Sequence, residues 1–219
     1  MLETYEIETG PEPRTTIIVL HGLGADGHDF VPICGELDLS VVGAVRYVFP
    51  HAPERPVTIN AGYVMRAWYD ILGADLVRRE DEAGLRESQA AIAALVDRER
   101  ERGIAAERIV LMGFSQGCAM ALMTALRYPE RLAGAVGLSG YLPLAATTAT
   151  ERAPANADLP IFMAHGTQDT VVAPQRGTAS RDTLRGLGHA VEWHDYPMPH
   201  SVCIEEIGDL NTWLLKQLS

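Results

Sequence analysis

The chain has 219 residues, 47% of them hydrophobic and 21% charged, which is typical of a globular protein with a packed core and unlike extended disorder. Its formal net charge of −11 argues against nucleic acid and anionic membranes as partners, because both require clustered Lys and Arg. Residues 1–6 lack the basic start and apolar core of a secretion signal, and no run of about 18 apolar residues could span a bilayer. We therefore expect a cytoplasmic protein without stable membrane insertion, folded as a single domain over residues 1–219.

Several short runs rich in β-branched, aromatic and other apolar residues are typical of strands, at residues 15–20, 45–49, 108–112, 132–138, 160–164 and 190–196. Helical periodicity is clearest over residues 84–103, where apolar side chains return to one face. Further helices are predicted over residues 118–127, 178–187 and 205–218. Strands that alternate with helices indicate a mostly parallel open sheet covered on both faces, an α/β fold whose ligands bind beyond the carboxyl ends of the strands.

Two long connections interrupt this alternation. Residues 142–158, rich in Ala, Thr and Pro, are too short for a cap domain and predict a mobile surface loop. Residues 50–70 form a proline-punctuated excursion that we expect to line a pocket, because long loops in compact domains are often functional.

The most informative motif is Gly113-Phe114-Ser115-Gln116-Gly117, which directly follows an apolar run and precedes a predicted helix. A strand that turns sharply into a helix exposes its turn residue, and flanking glycines let the backbone pass closely. The pattern predicts that Ser115 is a nucleophile, and the alternative is a surface serine between glycines.

A serine nucleophile needs an imidazole to take its proton and a carboxylate to orient that imidazole. Among the seven histidines only His200 lies between the last strand and the last helix, where α/β-hydrolases place their base. Asp169 follows the preceding strand at its carboxyl end, whereas Asp158 lies at the wrong end and Asp195 lies inside the last strand. A capping or surface histidine and an ordinary turn aspartate are the alternatives.

The oxyanion formed on a carbonyl needs two backbone N–H donors, one after the nucleophile and one from the loop after an early strand. We assign these to Gln116 and Leu23, the latter in the glycine-bearing segment that follows residues 15–20. The Leu23 side chain would then face the acyl group. A glycine-rich turn without chemistry is the alternative.

The sequence contains neither the metal-binding pattern His-Glu-x-x-His nor the phosphate-binding pattern Gly-Lys-Ser/Thr. We expect no metal, no nucleotide and no other cofactor, with His189 and His194 at the surface. The three cysteines, Cys34, Cys118 and Cys203, are odd in number and lack metal-type spacing, so we expect reduced thiols, with that of Cys118 buried.

With these motifs placed, the chain resembles the small carboxylesterase/lysophospholipase family that includes the acyl-protein thioesterases. The resemblance covers nearly the whole length and is carried, in order, by residues 20–27, 50–58, 65–70, 113–117, 165–169 and 194–200. It implies an α/β-hydrolase fold without a cap domain and hydrolysis of carboxylic esters, lysophospholipids or protein acyl thioesters. It also implies a pocket loop near residues 71–76.

Substrate-binding residues are predicted from this resemblance: Trp68, Ile71, Leu72 and Leu76, together with Leu23. The side chains of the pocket loop could equally be core anchors. Two departures from the family pattern are Pro199, in place of a glycine before His200, and Cys118, in place of a small residue after the motif. We expect Pro199 to alter loop mobility without loss of function.

The sequence thus predicts a serine carboxylesterase that acts on a small-molecule ester or acyl-chain substrate through an acyl-enzyme. An acyl-protein thioesterase or lysophospholipase with the same triad is the first alternative, and a non-catalytic binding protein on the same fold is the second. Apolar residues near the pocket could also support a homodimer.

Overall fold

The computed structural model describes residues 1–73 and 80–219. The strands are β1 (Thr4–Glu8), β2 (Thr15–Leu20), β3 (Val45–Pro50), β4 (Glu54–Val57), β5 (Tyr63–Arg66), β6 (Ile109–Phe114), β7 (Gly134–Leu138), β8 (Ile161–Gly166) and β9 (Val191–Tyr196). The α-helices are α1 (Val31–Gly35), α2 (Glu82–Glu101), α3 (Gln116–Arg127), α4 (Ala145–Glu151), α5 (Pro174–Gly186) and α6 (Ile204–Leu218).

Seven strands form one sheet in the order β1-β3-β2-β6-β7-β8-β9. Only β1 runs antiparallel to its neighbour, whereas the pairs from β3 to β9 are parallel. The predicted mostly parallel α/β-hydrolase sheet is confirmed. Parallel pairing brings the carboxyl ends of the central strands to one rim, and the loops after β2, β6, β8 and β9 meet there.

The core lies on both faces of the sheet. On one face, residues of α2, α3 and α5 such as Leu85, Leu122 and Leu184 pack on the central strands. On the other, α1 and α6 contribute Cys34 and Trp213. Strands β2, β3 and β7 are buried at every position, which explains why they consist mostly of apolar residues without alternation.

Two parts of the architecture are additional to the predicted elements. Strand β1 alternates in exposure and pairs with β3 from Thr4↔Pro50 to Glu8↔Arg46 at the sheet edge. Within the predicted excursion, β4 and β5 form a separate antiparallel hairpin with the register Glu54↔Arg66 to Val57↔Tyr63.

The prediction of a mobile loop over residues 142–158 is wrong. The segment contains α4 and a short 3₁₀ turn, Pro154–Asn156, and buried side chains anchor it. The Asn156 amide donates to the carbonyls of Tyr128 and Glu130, both at 2.8 Å, and accepts from the Leu132 N–H at 3.0 Å. These contacts are long-range, so composition alone could not reveal them.

The prediction of a surface position for His189 is also wrong, since the residue is 4% exposed and its Nδ1 lies 3.2 Å from the Leu159 carbonyl.

Cys118 is buried, as expected, and burial raises the pKa of its thiol. None of the helices that the structure describes combines the length and apolarity needed to cross a membrane.

Candidate active site

Ser115 occupies a strained turn between β6 and α3, with φ of 56° and ψ of −116°. Non-glycine residues rarely adopt positive φ, and such strain persists only where the surroundings impose it. Here a Cβ at Gly113 would overlap the Gly117 carbonyl, and a Cβ at Gly117 would overlap the Leu20 carbonyl. Both glycines are therefore required for the close backbone passage that holds Ser115 in this conformation.

His200 lies in the loop between β9 and α6, and its Nε2 is 3.0 Å from the Ser115 hydroxyl. Its Nδ1 is 2.7 Å from Oδ2 of Asp169, so Nδ1 donates its proton to the carboxylate. The lone pair of Nε2 then faces the serine hydroxyl, which donates to it. The Phe114 ring packs against the imidazole with centroids 4.7 Å apart.

Asp169 is held by its own turn after β8. Its Oδ1 accepts from the Val171 and Val172 amides at 2.8 and 2.9 Å, which leaves Oδ2 for His200. The carboxylate is fully buried. Below it, His165 Nε2 lies 2.9 Å from the Val172 carbonyl and 3.2 Å from Asp169 Oδ2, a contact that the sequence analysis missed.

Pro199 leaves the backbone bonds of the His200 loop in place, because Gln168 N–H donates to the Met198 carbonyl at 3.1 Å and Ser201 N–H to the Pro199 carbonyl at 2.9 Å. Gly166 allows this approach, since a Cβ there would overlap the carbonyls of Met198 and Pro199. The expected effect of Pro199 on loop mobility stays a prediction.

The two amides predicted for the oxyanion site belong to segments next to this serine: Gln116 follows it directly, and a Cβ at Gly22, the residue before Leu23, would lie 3.4 Å from Ser115 Cβ. Gln116 is the first residue of α3, and helix N-termini present free N–H groups. Leu23 follows β2, and the next amide, that of Gly24, donates to the Arg66 carbonyl at 2.9 Å. Within residues 1–73 and 80–219, neither the Leu23 nor the Gln116 N–H has a hydrogen-bond acceptor. Both remain available to a ligand.

The structure changes the expectation for Trp68. Its side chain is fully buried and offers no surface to a substrate, and its indole N–H instead donates to the His21 carbonyl at 2.9 Å. Ile71 and Leu72 are half-buried, and Ile71 packs against the core. Leu76 lies outside the described residues.

A cavity of about 460 Å³ lies between α4 and α5, lined by Tyr141, Leu142, Ala145, Ala146 and Ala179 among others. The hydroxyl of Tyr141, one of the lining residues, lies 2.8 Å from that of Tyr69. The preceding Gly140 lies against the serine turn, since a Cβ there would be 2.7 Å from the Ser115 carbonyl oxygen. The lining also includes the polar residues Glu80, Gln175 and Arg176, and the cavity is linked to the serine turn through Tyr141 and the adjacent Gly140.

No metal site is expected from the sequence, but the structure brings together three residues whose side chains can bind a metal ion. Donor atoms of Asp26, His28 and His51 lie within 4.8 Å of one another. However, His51 Nδ1 already accepts the Gly27 N–H at 3.1 Å, so its Nε2 carries the ring proton. A metal could bind His51 only after this bond breaks, and the cluster is not a preformed metal site.

Comparison with known proteins agrees with this geometry. The family model described as Phospholipase/Carboxylesterase matches residues 3–218. The chain belongs to the phospholipase/carboxylesterase family. It is therefore a serine hydrolase that acts on ester bonds, as the sequence predicts.

Its relatives include acyl-protein thioesterase 1 of Gibberella zeae, 41% identical over 212 residues that cover 93% of this chain and 90% of that protein. Acyl-protein thioesterase 1 of Yarrowia lipolytica is 39% identical over 204 residues, 91% of this chain and 90% of that protein. Among solved structures, Arabidopsis thaliana SOBER1 aligns with a TM-score of 0.89 and 32% identity, covering 94% of this chain and 100% of that one. Zea mays acyl-protein thioesterase 2 aligns with a TM-score of 0.85 and 30% identity, and the alignment covers all of both chains.

Proposed function

We propose that this enzyme is an acyl-protein thioesterase, which hydrolyses the thioester between an acyl chain and a cysteine of a protein. One observation carries the proposal: the hydroxyl of a strained serine, the imidazole of His200 and the carboxylate of Asp169 form a continuous hydrogen-bonded chain, with distances of 3.0 and 2.7 Å. The names of the relatives at about 40% identity, which match across most of the chain, support the thioester as the bond cleaved.

In the acylation step, Ser115 Oγ attacks the thioester carbonyl while its proton moves to His200 Nε2. Negative charge develops on the carbonyl oxygen, which accepts hydrogen bonds from the Leu23 and Gln116 amides. The C–S bond then breaks, and the sulfur leaves with the proton that His200 returns. Asp169 holds the imidazole in the required tautomer and stabilises the transient imidazolium, without itself being protonated.

Deacylation repeats these roles with water. His200 takes a proton from the water, whose oxygen attacks the acyl-serine carbonyl, and then returns the proton to Ser115 Oγ as the ester bond breaks. The products are a carboxylic acid and the free enzyme.

The cavity beside Tyr141 supports an acyl chain as the group retained on the enzyme. Its apolar lining residues include Leu142 before α4, Ala145 and Ala146 of α4 and Ala179 of α5, next to the charged Glu80 and Arg176. Burial of each methylene of a chain is worth about 0.8 kcal/mol, so a cavity of this kind favours longer acyl chains. The half-buried Ile71 and Leu72 stay predicted contacts of the chain.

A carboxylesterase acting on small oxygen esters is the second candidate, because the family description names this activity. The leaving group separates the two candidates. A cysteine thiol has a pKa of about 8.5 and leaves with little help, whereas an alkoxide is far more basic and depends on the proton from His200.

The test compares kcat/KM for an S-acylated peptide and for the matching O-acyl serine peptide, each with acyl chains of increasing length. We expect a preference for the thioester that exceeds the ratio of the uncatalysed hydrolysis rates, and an increase with chain length. A preference for short oxygen esters would favour the carboxylesterase. Turnover by Ser115→Ala that matches the wild type would reject both.

A further inference from the structure

We propose that Trp68 and the side chain of Gln116 are positioning residues that fix the separation of the two oxyanion amides. The inference rests on the proposed function, because it concerns the Leu23 and Gln116 donors. Pairing of β2 with β6, with Leu20 opposite Gly113, brings the two chain segments together, but both amides lie in the turns beyond this pairing, where further contacts can set their spacing. The structure assigns this task to the buried dipeptide Trp68-Tyr69.

The first contact joins the dipeptide to the Leu23 loop. The indole Nε1–H of Trp68 donates to the His21 carbonyl at 2.9 Å, and this carbonyl lies two residues before Leu23. Trp68 is 0% exposed and His21 is 1% exposed, so water cannot replace this bond. The indole therefore fixes the start of the loop that presents the Leu23 amide.

The second contact joins the same dipeptide to the nucleophile turn. Gln116 Oε1 accepts the Trp68 backbone N–H at 2.9 Å, and its Nε2 donates to the Tyr69 carbonyl at 2.8 Å. Gln116 is 3% exposed. One residue thus supplies an oxyanion donor from its backbone and anchors that backbone through both polar atoms of its side chain.

Further buried bonds hold the dipeptide and His21. The Ser88 hydroxyl of α2 donates to the Trp68 carbonyl, and the Tyr69 hydroxyl is bonded to that of Tyr141. His21 Nδ1–H donates to the Gly22 carbonyl at 2.7 Å, while its Nε2 accepts the Ala52 N–H at 3.0 Å. Burial lowers the pKa of His21, in keeping with the neutral ring that this pattern requires. Each polar side-chain atom of Trp68, Gln116 and His21 thus has a hydrogen-bond partner.

Such a bridge matters because an oxyanion donor acts only when it lies about 2.7–3.1 Å from the position of the developing charge. A change of a few tenths of an ångström in the spacing of the two amides affects the transition state, where the charge has formed, more than the ground state. Loss of the bridge should therefore lower kcat and leave KM nearly unchanged.

The principal experiment is Trp68→Phe, which retains a buried aromatic ring and removes the bond to the His21 carbonyl. We expect kcat to fall about 10- to 100-fold and KM to change less than threefold. Trp213→Phe is the control, because Trp213 is also buried but lies in α6 on the other face of the sheet, away from the site. Its kcat should stay within twofold of the wild type.

A second variant tests the other half of the bridge. Gln116→Met removes both side-chain bonds but keeps the backbone N–H, and we expect a loss of kcat similar to that of Trp68→Phe. Because both residues act through one dipeptide, the double variant should lose less than the product of the two single losses. Rates are expressed per active site titrated with a fluorophosphonate, so that a smaller folded fraction does not count as a loss.

A transition-state analogue separates positioning from a merely structural role. A trifluoromethyl ketone that forms a tetrahedral adduct with Ser115 should bind more weakly to Trp68→Phe by the same factor as the loss in kcat/KM. Wild-type kcat in Trp68→Phe and in Gln116→Met, with Ser115→Ala inactive, would overturn this inference and leave the proposed function intact. Full activity in Ser115→Ala would instead reject the proposed function itself.

Discussion

Two buried polar clusters of this molecule differ in how completely their hydrogen bonds are satisfied. Around the fully buried Glu99, each carboxylate oxygen has two partners: Oε2 accepts from Thr16 at 3.0 Å and Arg46 at 2.9 Å, and Oε1 from Arg98 at 3.3 Å and Arg102 at 2.9 Å. At the opposite rim, the nucleophile turn holds a strained serine beside two amides that have no acceptor within the described part of the chain.

This contrast teaches how to separate stability from function among buried polar groups. With two partners on each oxygen, the Glu99 carboxylate has no capacity left for a ligand, and its bonds stabilise the pairing of α2 with the sheet edge. A cluster with backbone strain and free donors costs stability, and a bound transition state completes it. Mutations at the nucleophile turn should therefore lower activity with little effect on stability. Mutations at the Glu99 cluster should lower stability with little effect on activity.

The largest effect is expected for Ser115→Ala and His200→Ala. Removal of either member of a triad lowers kcat by about 10⁵- to 10⁶-fold, since the nucleophile and its base act as one unit. The melting temperature should fall little or even rise, because the strained serine turn does not contribute to stability. Ester turnover and calorimetry on the same samples measure both. A large loss of stability in Ser115→Ala would remove the distinction between the clusters.

Asp169→Asn is expected to lower kcat about 10³- to 10⁴-fold. The Val171 and Val172 amides require an oxygen at the δ1 position, so the new NH₂ group must face His200 Nδ1. The imidazole then carries its proton on Nε2 and cannot accept that of Ser115. Asp158→Asn is the control for charge. Equal kcat in the two variants would contradict the role of Asp169.

How much of the fold and of the site could be predicted from the sequence depends on whether the contacts are local. Ser115, Asp169 and His200 were each predicted at a strand end, and parallel pairing of β6, β7, β8 and β9 brings such ends together. The Glu99 cluster and the Trp68 bridge were missed, because they join residues tens of positions apart whose local patterns are those of a helix face and a loop. Strand β1 was missed for the same reason, since its partner β3 lies about 40 residues away.

Glu99→Ala is expected to destabilise the protein by about 3–5 kcal/mol, because it leaves the largely buried Arg46 guanidinium without its buried partner. The kcat per titrated active site should stay within about twofold, since the cluster is remote from the rim. Urea unfolding measures the free energy. Glu87→Ala, at an exposed carboxylate on the same helix, is the control and should cost less than about 1 kcal/mol.

A smaller, pH-dependent effect on the free energy of unfolding is expected from Glu206 of α6. Burial raises the pKa of this carboxyl to about 8 and outweighs the opposing effect of the nearby Cys203 backbone N–H. The folded protein then holds a proton that the unfolded chain, with a pKa near 4.5, releases. The contribution to stability is complete below about pH 4.5 and is lost as pH rises to about 8, at up to about 1.4 kcal/mol per pH unit.

Glu206→Met should remove this part of the pH dependence, so the difference in free energy of unfolding between variant and wild type should grow from pH 5 to pH 8. Urea titrations at both pH values measure it. A difference that does not change with pH would contradict an elevated pKa at this carboxyl.

The most direct test of the account is the site of covalent modification by a fluorophosphonate, mapped by peptide mass spectrometry. We expect one adduct per chain, on Ser115, formed at least 10³-fold more slowly in His200→Ala, where no base takes the hydroxyl proton. An adduct on another residue, or equal labelling rates in wild type and His200→Ala, would contradict the claim that Ser115, His200 and Asp169 work as one catalytic unit.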